Sequence, residues 1–158
     1  MFNHEPEGYP CPFCRILNSE TEKKAEVLFE TNSVFVCMPI HHKPASGPSL
    51  LIIPKQHVEN IYDMDDSLLA ELISLGKKMA LAVKAAWKAD GITLIQNNEP
   101  AGSQDVWHFH LHIKCRREGD NFWKAPMQRT AQALRKEWID SFRRFMTGQS
   151  TPPVEDEA

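Results

Sequence analysis

The stretch that decides the predicted fold is Trp107-His108-Phe109-His110-Leu111-His112-Ile113-Lys114, which places three of the chain's seven histidines at alternate positions. Phe109, Leu111 and Ile113 follow them in turn, and this two-residue period is typical of a β-strand. The pattern predicts a strand with three imidazoles on a solvent-exposed face and three apolar side chains on a core face.

The spacing of a strand limits what these histidines can share. Neighbours on one face lie about 6.6 Å apart, whereas imidazole nitrogens bind zinc at roughly 2.0–2.1 Å. A single ion therefore cannot easily bind all three, which disfavours a metal-dependent hydrolase that uses the row as its ligands. The three histidines are predicted to have different roles.

Composition favours one soluble domain with a tail. The chain has 158 residues, of which 42% are hydrophobic and 25% charged, as in ordinary globular proteins. A net charge of −3 gives no general attraction to a nucleic-acid polymer or an anionic membrane. The sequence has no apolar run of about 18 residues and no signal-peptide pattern, so a cytoplasmic protein is predicted.

Residues 108–114, His-Phe-His-Leu-His-Ile-Lys, resemble the His-φ-His-φ-His-φ-φ signature of the histidine triad (HIT) superfamily, with Lys114 at the final apolar position. Members of this superfamily bind nucleotides and transfer or hydrolyse nucleotidyl groups. Four further segments are similar to the family and occur in its order: residues 11–17, residues 51–57, residues 97–106, and Arg116 with Gly119-Asp120. The resemblance covers most of residues 11–123 and is greatest to the Hint-like, zinc-bearing bacterial branch.

Two of the four cysteines form the motif Cys11-Pro12-Phe13-Cys14. Without a secretion signal, four cysteines favour a metal site or free thiols over a disulfide framework. A redox pair of this spacing needs a preceding strand, which the loop-like residues 1–10 do not supply. The resemblance implies instead that Cys11, Cys14, His57 and His108 bind a structural Zn²⁺ ion as a closed Cys2His2 site.

The remaining patterns predict an α+β fold, with an antiparallel sheet of about five strands, one long helix and a C-terminal helix. Strands are predicted at residues 27–29, 34–38, 49–53 and 92–96 in addition to the triad strand. The long helix is predicted from the cap cluster at Asp65 to about Trp87, with Gly91 as its stop signal. The last helix is predicted to open at Pro126 with an apolar face of Leu134, Trp138, Phe142 and Phe145.

Three other segments are predicted to lack regular structure or to be mobile. Residues 1–10 read as a flexible lead-in and residues 147–158 as a disordered acidic tail, which leaves residues 11–146 as a single HIT-like domain. The loop 39–48 contains three prolines, which are expected to prevent regular strand pairing. His41 and His42 in that loop are predicted to be solvated. The resemblance also implies a homodimer.

The resemblance implies that His110 attacks the α-phosphorus of a nucleoside phosphate derivative and forms a nucleotidyl-histidine, with His112 assisting the phosphoryl oxygens or the leaving group. Asn97, Gln104 and Asp105 are predicted to join His112 at the phosphate. Because a carboxylate beside an anion is unfavourable, Asp105 is expected to turn aside or to bond backbone amides. The predicted enzyme is a nucleotide-binding hydrolase or transferase acting on phosphoramidates or dinucleoside polyphosphates.

The alternative is a zinc-stabilised nucleotide-binding or scaffold module with little catalytic output. Two departures from the family pattern keep it open. Pro39 stands where the family usually carries an acidic residue that holds the ribose hydroxyls, and Asp105 stands where it often has a small hydroxyl residue.

Overall fold

The computed structural model describes residues 2–148, and its helices and strands confirm the predicted α+β class. In chain order the strands are β1 (Val27–Glu30), β2 (Val34–Cys37), β3 (His41–His42), β4 (Ser49–Pro54), β5 (Gly91–Gln96), β6 (Leu111–Arg116) and β7 (Gln128–Arg129). The helices are α1 (Pro12–Asn18), α2 (Glu20–Glu26), α3 (Asp66–Trp87) and α4 (Gln132–Met146). Two 3-10 turns lie at Ile61–Asp63 and Pro100–Gly102.

Five strands form one antiparallel sheet in the order β1-β2-β4-β6-β5, with β4 at its centre. All six residues of β4 are buried, as its continuous apolar run predicts. Leu50 and Ile52 belong to the main core beneath α3 and α4. Leu51 and Ile53 belong to a smaller cluster that includes Phe13 of α1. The sheet therefore has one face for the core and one face under α1, where the candidate site lies.

Helix α3 confirms the predicted apolar stripe, since Leu72, Leu75, Met79 and Val83 are all buried. It ends at Trp87, as predicted, and its C-cap is Lys88 in the left-handed conformation with φ of 50°, so Lys88 and not Gly91 provides the stop. Gly76 allows α3 to lie close to the triad strand, because a Cβ atom there would lie 3.2 Å from the Leu111 side chain. No helix within residues 2–148 combines the length and the apolar character needed to cross a membrane.

Helix α4 begins at Gln132 and not at Pro126, because residues 128–129 of the intervening segment form β7. Phe142 is fully buried, and Ser141 accepts a hydrogen bond from the Trp87 indole at 3.1 Å. Phe145 remains 42% exposed, so it does not belong to the buried face that was predicted. The helix thus packs on α3 of its own chain.

The loop 39–48 differs from the prediction in two respects. His41 and His42 form β3, which pairs with β7; Pro39 and Pro44 flank this pair and so do not interrupt it. His42 is buried, and its ring lies 2.8 Å from the Thr130 hydroxyl, so only His41 is exposed as predicted. Most of the predicted acidic tail, residues 149–158, lies outside the described residues.

A buried carboxylate holds the turn that follows β6. Asp120 accepts hydrogen bonds from the Arg116 guanidinium at 2.8 Å, from the Ser46 hydroxyl at 2.8 Å and from the backbone amides of Arg117 and Phe122 at 3.1 Å. The Arg116 guanidinium is the main cause that holds the pKa of the Asp120 carboxyl well below its ordinary value. This carboxylate therefore ties the 39–48 loop to the turn after the triad strand.

We expect Asp120→Asn to lower the free energy of unfolding by about 2–3 kcal/mol near pH 7, because it leaves buried donors without a charged acceptor. A lowered pKa stabilises the fold above the unfolded-state pKa of about 4, and that contribution is lost as pH falls below it. Urea unfolding of the wild type and of Asp120→Asn should therefore show the largest difference in the free energy of unfolding near neutral pH and a smaller difference in acid. Asp140→Asn, which removes the exposed pair with Lys136, is the control; an equal effect would contradict the assignment.

Candidate active site and metal site

The three histidines enter the site from two kinds of backbone. Strand β6 begins at Leu111, so only His112 lies within it, while His108 lies in a bend and His110 in irregular backbone before the strand. The predicted solvent-exposed face is wrong for two of them, because His108 is 0% and His110 3% exposed. Helix α1 covers them, and the Phe13 ring lies 5.6 Å from the His108 ring and 5.4 Å from the His110 ring.

Cys11, Cys14, His57 and His108 come together although the chain separates the outer two by 97 positions. Their ligand atoms all lie within 4.8 Å of one another. Cys11 Sγ lies 3.3 Å from His108 Nδ1, and Cys14 Sγ lies 3.3 Å from His57 Nδ1. A tetrahedral zinc ion would separate sulfur and nitrogen ligands by about 3.5 Å, given bonds of roughly 2.3 and 2.0–2.1 Å. The four residues form a possible metal site.

Hydrogen bonds orient both imidazoles of this site. His108 Nε2 donates to the Pro54 carbonyl at 2.9 Å, so Nδ1 faces the cysteines. His57 Nε2 lies 2.5 Å from the Glu5 carboxylate, a partner typical of metal-binding histidines. Burial lowers the pKa of His108 to about 4, which keeps the ring in its neutral, ligating form. Sequence analysis missed Glu5, because nothing in residues 1–10 indicates a contact with His57.

His110 lies beside this cluster and is fixed by it. Its Nδ1 donates to the His108 carbonyl at 2.8 Å, so in the neutral ring Nε2 carries the free lone pair. Asp105 Oδ1 lies 3.6 Å from that Nε2, and the expectation that Asp105 turns aside is therefore wrong. In the protonated ring Nε2 would instead donate to Asp105, and this hydrogen bond is the main cause that lowers the pKa of the Asp105 carboxyl. A nucleophilic nitrogen thus faces a carboxylate whose side chain is 78% exposed.

His112 is a neutral imidazole next to His110, with 4.8 Å between the ring centroids. Burial is the main cause that lowers its pKa to about 2, and the nearby Lys114 and His110 lower it further. Its Nδ1 atom has no hydrogen-bond partner among residues 2–148. A neutral ring can donate one N–H to a ligand oxygen, which suits a phosphoryl contact.

Two cavities meet at His112. The α1-side cavity has a volume of about 430 Å³, and its lining includes His110 and the apolar side chains Phe13, Ile16, Met38, Ile40 and Leu51. The β5-side cavity has a volume of about 360 Å³, and its lining includes Lys43, Ile95, Asn97, Ser103 and Trp123. Asp105, His112, Lys114 and Met127 line both. Volumes of this size are typical of small-molecule sites.

The residues predicted to bind phosphate are not all brought to these cavities. Asn97 lines the β5-side cavity, with its side-chain amide 3.3 Å from the Ser103 carbonyl. Gln104 is buried inside its loop, where its amide donates to the Glu59 carbonyl at 2.6 Å and the Val106 carbonyl at 3.1 Å. Gln104 therefore shapes the loop, and it lines neither cavity. Ser103, which the sequence analysis missed, lines the cavity in its place.

Pro39 lines the α1-side cavity, as do two carboxylates of α2, Glu22 and Glu26. The Glu26 carboxylate pairs with Arg135 of α4, whose guanidinium also donates to the Met38 carbonyl at 2.6 Å. Sequence analysis missed these groups, because the pair joins residues 109 positions apart. The acidic groups of this cavity come from a helix and not from the position of Pro39.

Comparison with known proteins finds one matching family and relatives that include named enzymes. The HIT domain family model matches residues 20–119. An uncharacterized HIT-like protein of Methanocaldococcus jannaschii is 34% identical over 70% of this chain and 81% of its own length. An adenosine 5'-monophosphoramidase of Saccharomyces cerevisiae is 32% identical over 68% of this chain and 63% of its own length. An adenylylsulfatase of Arabidopsis thaliana is 30% identical over 80% of this chain and 63% of its own length.

One solved structure of similar fold contains zinc. The crystal structure of a zinc-bound histidine triad family protein from Mycobacterium smegmatis is 26% identical and superposes with a TM-score of 0.71. The match covers 88% of this chain and 94% of that protein. The shared fold therefore occurs with a bound zinc ion in that relative.

Proposed function

This chain belongs to the HIT domain family, whose members include nucleotide hydrolases, and on that premise we propose that it cleaves nucleoside phosphate derivatives through a covalent intermediate on His110. One observation carries the proposal. The Nδ1 atom of His110 is bonded to the His108 carbonyl, which leaves Nε2 as a free nucleophile at the wall of a cavity of nucleoside size. The substrates would be phosphoramidates or dinucleoside polyphosphates.

The proposed reaction has two displacements at phosphorus. His110 Nε2 forms a bond to the α-phosphorus, and the bond to the leaving group breaks with its electron pair on the departing atom. Water or another acceptor then attacks the nucleotidyl-histidine, and the electron pair of the phosphorus–nitrogen bond returns to His110. His112 donates an N–H to a phosphoryl oxygen, and Asn97 supplies a neutral donor from the loop. Asp105 is placed to accept a proton from the attacking water.

We propose a structural Zn²⁺ ion at Cys11, Cys14, His57 and His108. The spacing of their ligand atoms supports it, and four protein ligands leave no open coordination position for substrate. When bound, the ion would hold the fold together there. His108 also positions His110 through its carbonyl, so the metal site would fix the orientation of the nucleophile.

A turnover panel tests the activity. Adenosine and guanosine phosphoramidates and dinucleoside polyphosphates are incubated with the wild type, and product nucleotide is measured. We expect release of a nucleoside monophosphate from at least one class. Nucleotide binding without any turnover would favour the alternative, a binding or scaffold module, and would direct attention to Pro39 and Asp105.

We also propose a two-fold homodimer formed through the β5 edge. Within the described residues β5 pairs only with β6, and an edge strand is a template for pairing with a second chain. Leu94 on this strand is 44% exposed and lies over Gly76 of α3. Ile73, one turn earlier on α3, is also exposed.

Leu94→Arg is expected to convert the dimer to a monomer, because it places a charge in an apolar interface. Light scattering coupled to size-exclusion chromatography gives the mass of each. Phe145→Arg, at an exposed apolar position of α4, is the matched control and should remain dimeric. A monomeric wild type would refute the dimer, and monomerisation by Phe145→Arg alone would move the interface to α4.

Two further proposals concern the chain as a whole. Residues 11–146 would form a single HIT-like domain. The cytoplasmic location stays a prediction from the sequence.

A further inference from the structure

Lys114 is a cation at the junction of the two cavities, and residues 2–148 give it no hydrogen-bond or ion-pair partner. It follows His112 by two positions on β6 and lines both cavities. Its neighbours across the sheet, Ser49 and Thr93, are small and neutral. Among residues 2–148 no side chain or backbone group forms a hydrogen bond or an ion pair with its amine. A partly buried charge with no partner is costly, which suggests that a ligand supplies the counter-charge.

Two charged side chains, Asp105 and Lys43, lie near the Lys114 amine. Burial lowers the pKa of Lys114 to about 8, while Asp105 opposes that shift and Lys43 adds to it. Lys114 is therefore mostly protonated at pH 7. Lys43 lines the β5-side cavity, where it donates to the carbonyl groups of Phe122 and Ala125. The lining of the β5-side cavity thus includes two lysines and one carboxylate, Asp105.

The direction of attack assigns the two cavities different parts of a substrate. In a displacement at phosphorus, the attacking and leaving atoms lie roughly in line on opposite sides. His110 lines the α1-side cavity and not the β5-side cavity. A phosphorus bound at His112 and attacked from His110 therefore expels its leaving group towards the β5-side cavity and Lys114.

Resting on the proposed function, we propose that Lys114 selects substrates whose leaving group is an oxyanion, such as a phosphate or a sulfate, over those that release an amine. When the phosphorus–oxygen bond breaks, both electrons stay on the departing oxygen, and the Lys114 ammonium offsets this charge without a proton transfer. When a phosphorus–nitrogen bond breaks, the nitrogen first takes a proton from solvent water, carries a positive charge while the bond breaks, and leaves as a neutral amine with the bonding electron pair. A neighbouring ammonium opposes that positive charge, so the same residue favours one class and disfavours the other.

Lys114→Met tests this selection, because methionine has a similar length and restores an apolar residue at the final position of the triad motif. Three substrates share an adenylyl group and differ in what leaves: diadenosine triphosphate, adenosine 5'-phosphosulfate and adenosine phosphoramidate. We expect kcat/KM to fall about 10- to 100-fold for the first two. For the phosphoramidate it should stay within about threefold or rise, since removal of the ammonium does not penalise a protonated amine.

Lys124→Met is the matched control, because it removes an exposed lysine that lines neither cavity; the ratio of the two classes should not change. Lys114→Arg keeps the charge and should keep the wild-type preference. Lys114→Gln serves if the methionine variant fails to fold. The wild-type preference for oxyanion leaving groups should also weaken as pH rises above about 8, because the Lys114 amine then loses its proton. The preference of Lys114→Met should not change with pH over this range. The titratable groups that face this amine are Asp105, Lys43 and neutral His112.

Each outcome decides the inference. An equal loss for all three substrates would assign Lys114 to the shared α-phosphate and overturn the selection, and so would an unchanged ratio. A wild type that cleaves none of the three would overturn this inference, and one that also cleaves no guanosine substrate of the turnover panel would refute the proposed function. A loss for the two oxyanion substrates, with the phosphoramidate within about threefold of wild type or faster, is the supporting result.

Discussion

Replacing His110 with alanine is expected to abolish turnover of nucleoside phosphate derivatives, with a loss of ~10³-fold or more in kcat. The reason is the loss of the bond-forming atom, since His110 Nε2 has no equivalent in the cleft. His112 is a neighbouring imidazole, but its partly buried ring carries a pKa lowered to about 2, which makes it a poorer base and nucleophile. Steady-state assays on the best substrate of the turnover panel give the loss directly.

The covalent intermediate provides a second measurement. Wild type mixed with substrate, quenched with base and examined by denaturing mass spectrometry should carry one added nucleotidyl group, because a phosphorus–nitrogen bond survives in base. His110→Ala should carry none. The metal content of His110→Ala should match that of the wild type, since His110 is not among the four candidate ligands.

His4→Ala is the control for loss of an imidazole, because His4 contacts Glu99 outside both cavities. It should retain wild-type turnover. Near-native turnover of a phosphoramidate by His110→Ala would show that another atom attacks, and it would end the assignment of His110 as nucleophile.

Sequence patterns predicted the parts of this fold that depend on local periodicity. The apolar run of β4 and the stripe of α3 were both correct, because each element repeats its burial pattern over several residues. The Cys2His2 grouping followed from the family resemblance, and the structure places all four residues together. No local rule joins Cys11 to His108, so composition and spacing alone left the metal site open.

The elements that the sequence did not predict are short or depend on distant contacts. Helix α1 has seven residues, too few for a periodic pattern, yet it buries His108 and His110. Strand β3 has two residues and exists because β7 pairs with it. Asp105 faces His110 for a similar reason, since the path of the loop and not the local sequence decides where its carboxylate lies.

The choice between an enzyme and a binding module depends on the nucleoside side of the cleft. Pro39 cannot hold ribose hydroxyls through a side chain, but Glu22 and Glu26 place carboxylates in the same cavity. Arg135 pairs with Glu26, and the Arg15 guanidinium lies 3.3 Å from the Glu22 carboxylate, so each of these carboxylates already has a cationic partner. The absence of an acidic residue at position 39 therefore does not leave this cavity without carboxylates, but neither of them is free of an ion pair.

Removal of the candidate zinc site is expected to have the second large effect. Elemental analysis of untagged wild type should find about one zinc per chain, and Cys11→Ser/Cys14→Ser should have lost it. We expect the melting temperature of the double variant to fall steeply, because structural zinc contributes apparent binding energies of about 10–16 kcal/mol in small peptides and some fraction of that here. Burial raises the pKa of the Cys14 thiol to about 11, so without a cation the thiol would stay protonated at neutral pH.

Cys115→Ala separates loss of a ligand from loss of a thiol, because Cys115 is buried in the main core, away from the cluster. It should keep zinc even if packing costs some stability. Loss of zinc should also lower kcat, since His108 would no longer be fixed and its carbonyl holds His110 Nδ1 at 2.8 Å. Freshly purified wild type without zinc, yet with full stability, would refute the metal site and leave the sulfur–imidazole contacts to hold α1 against the triad.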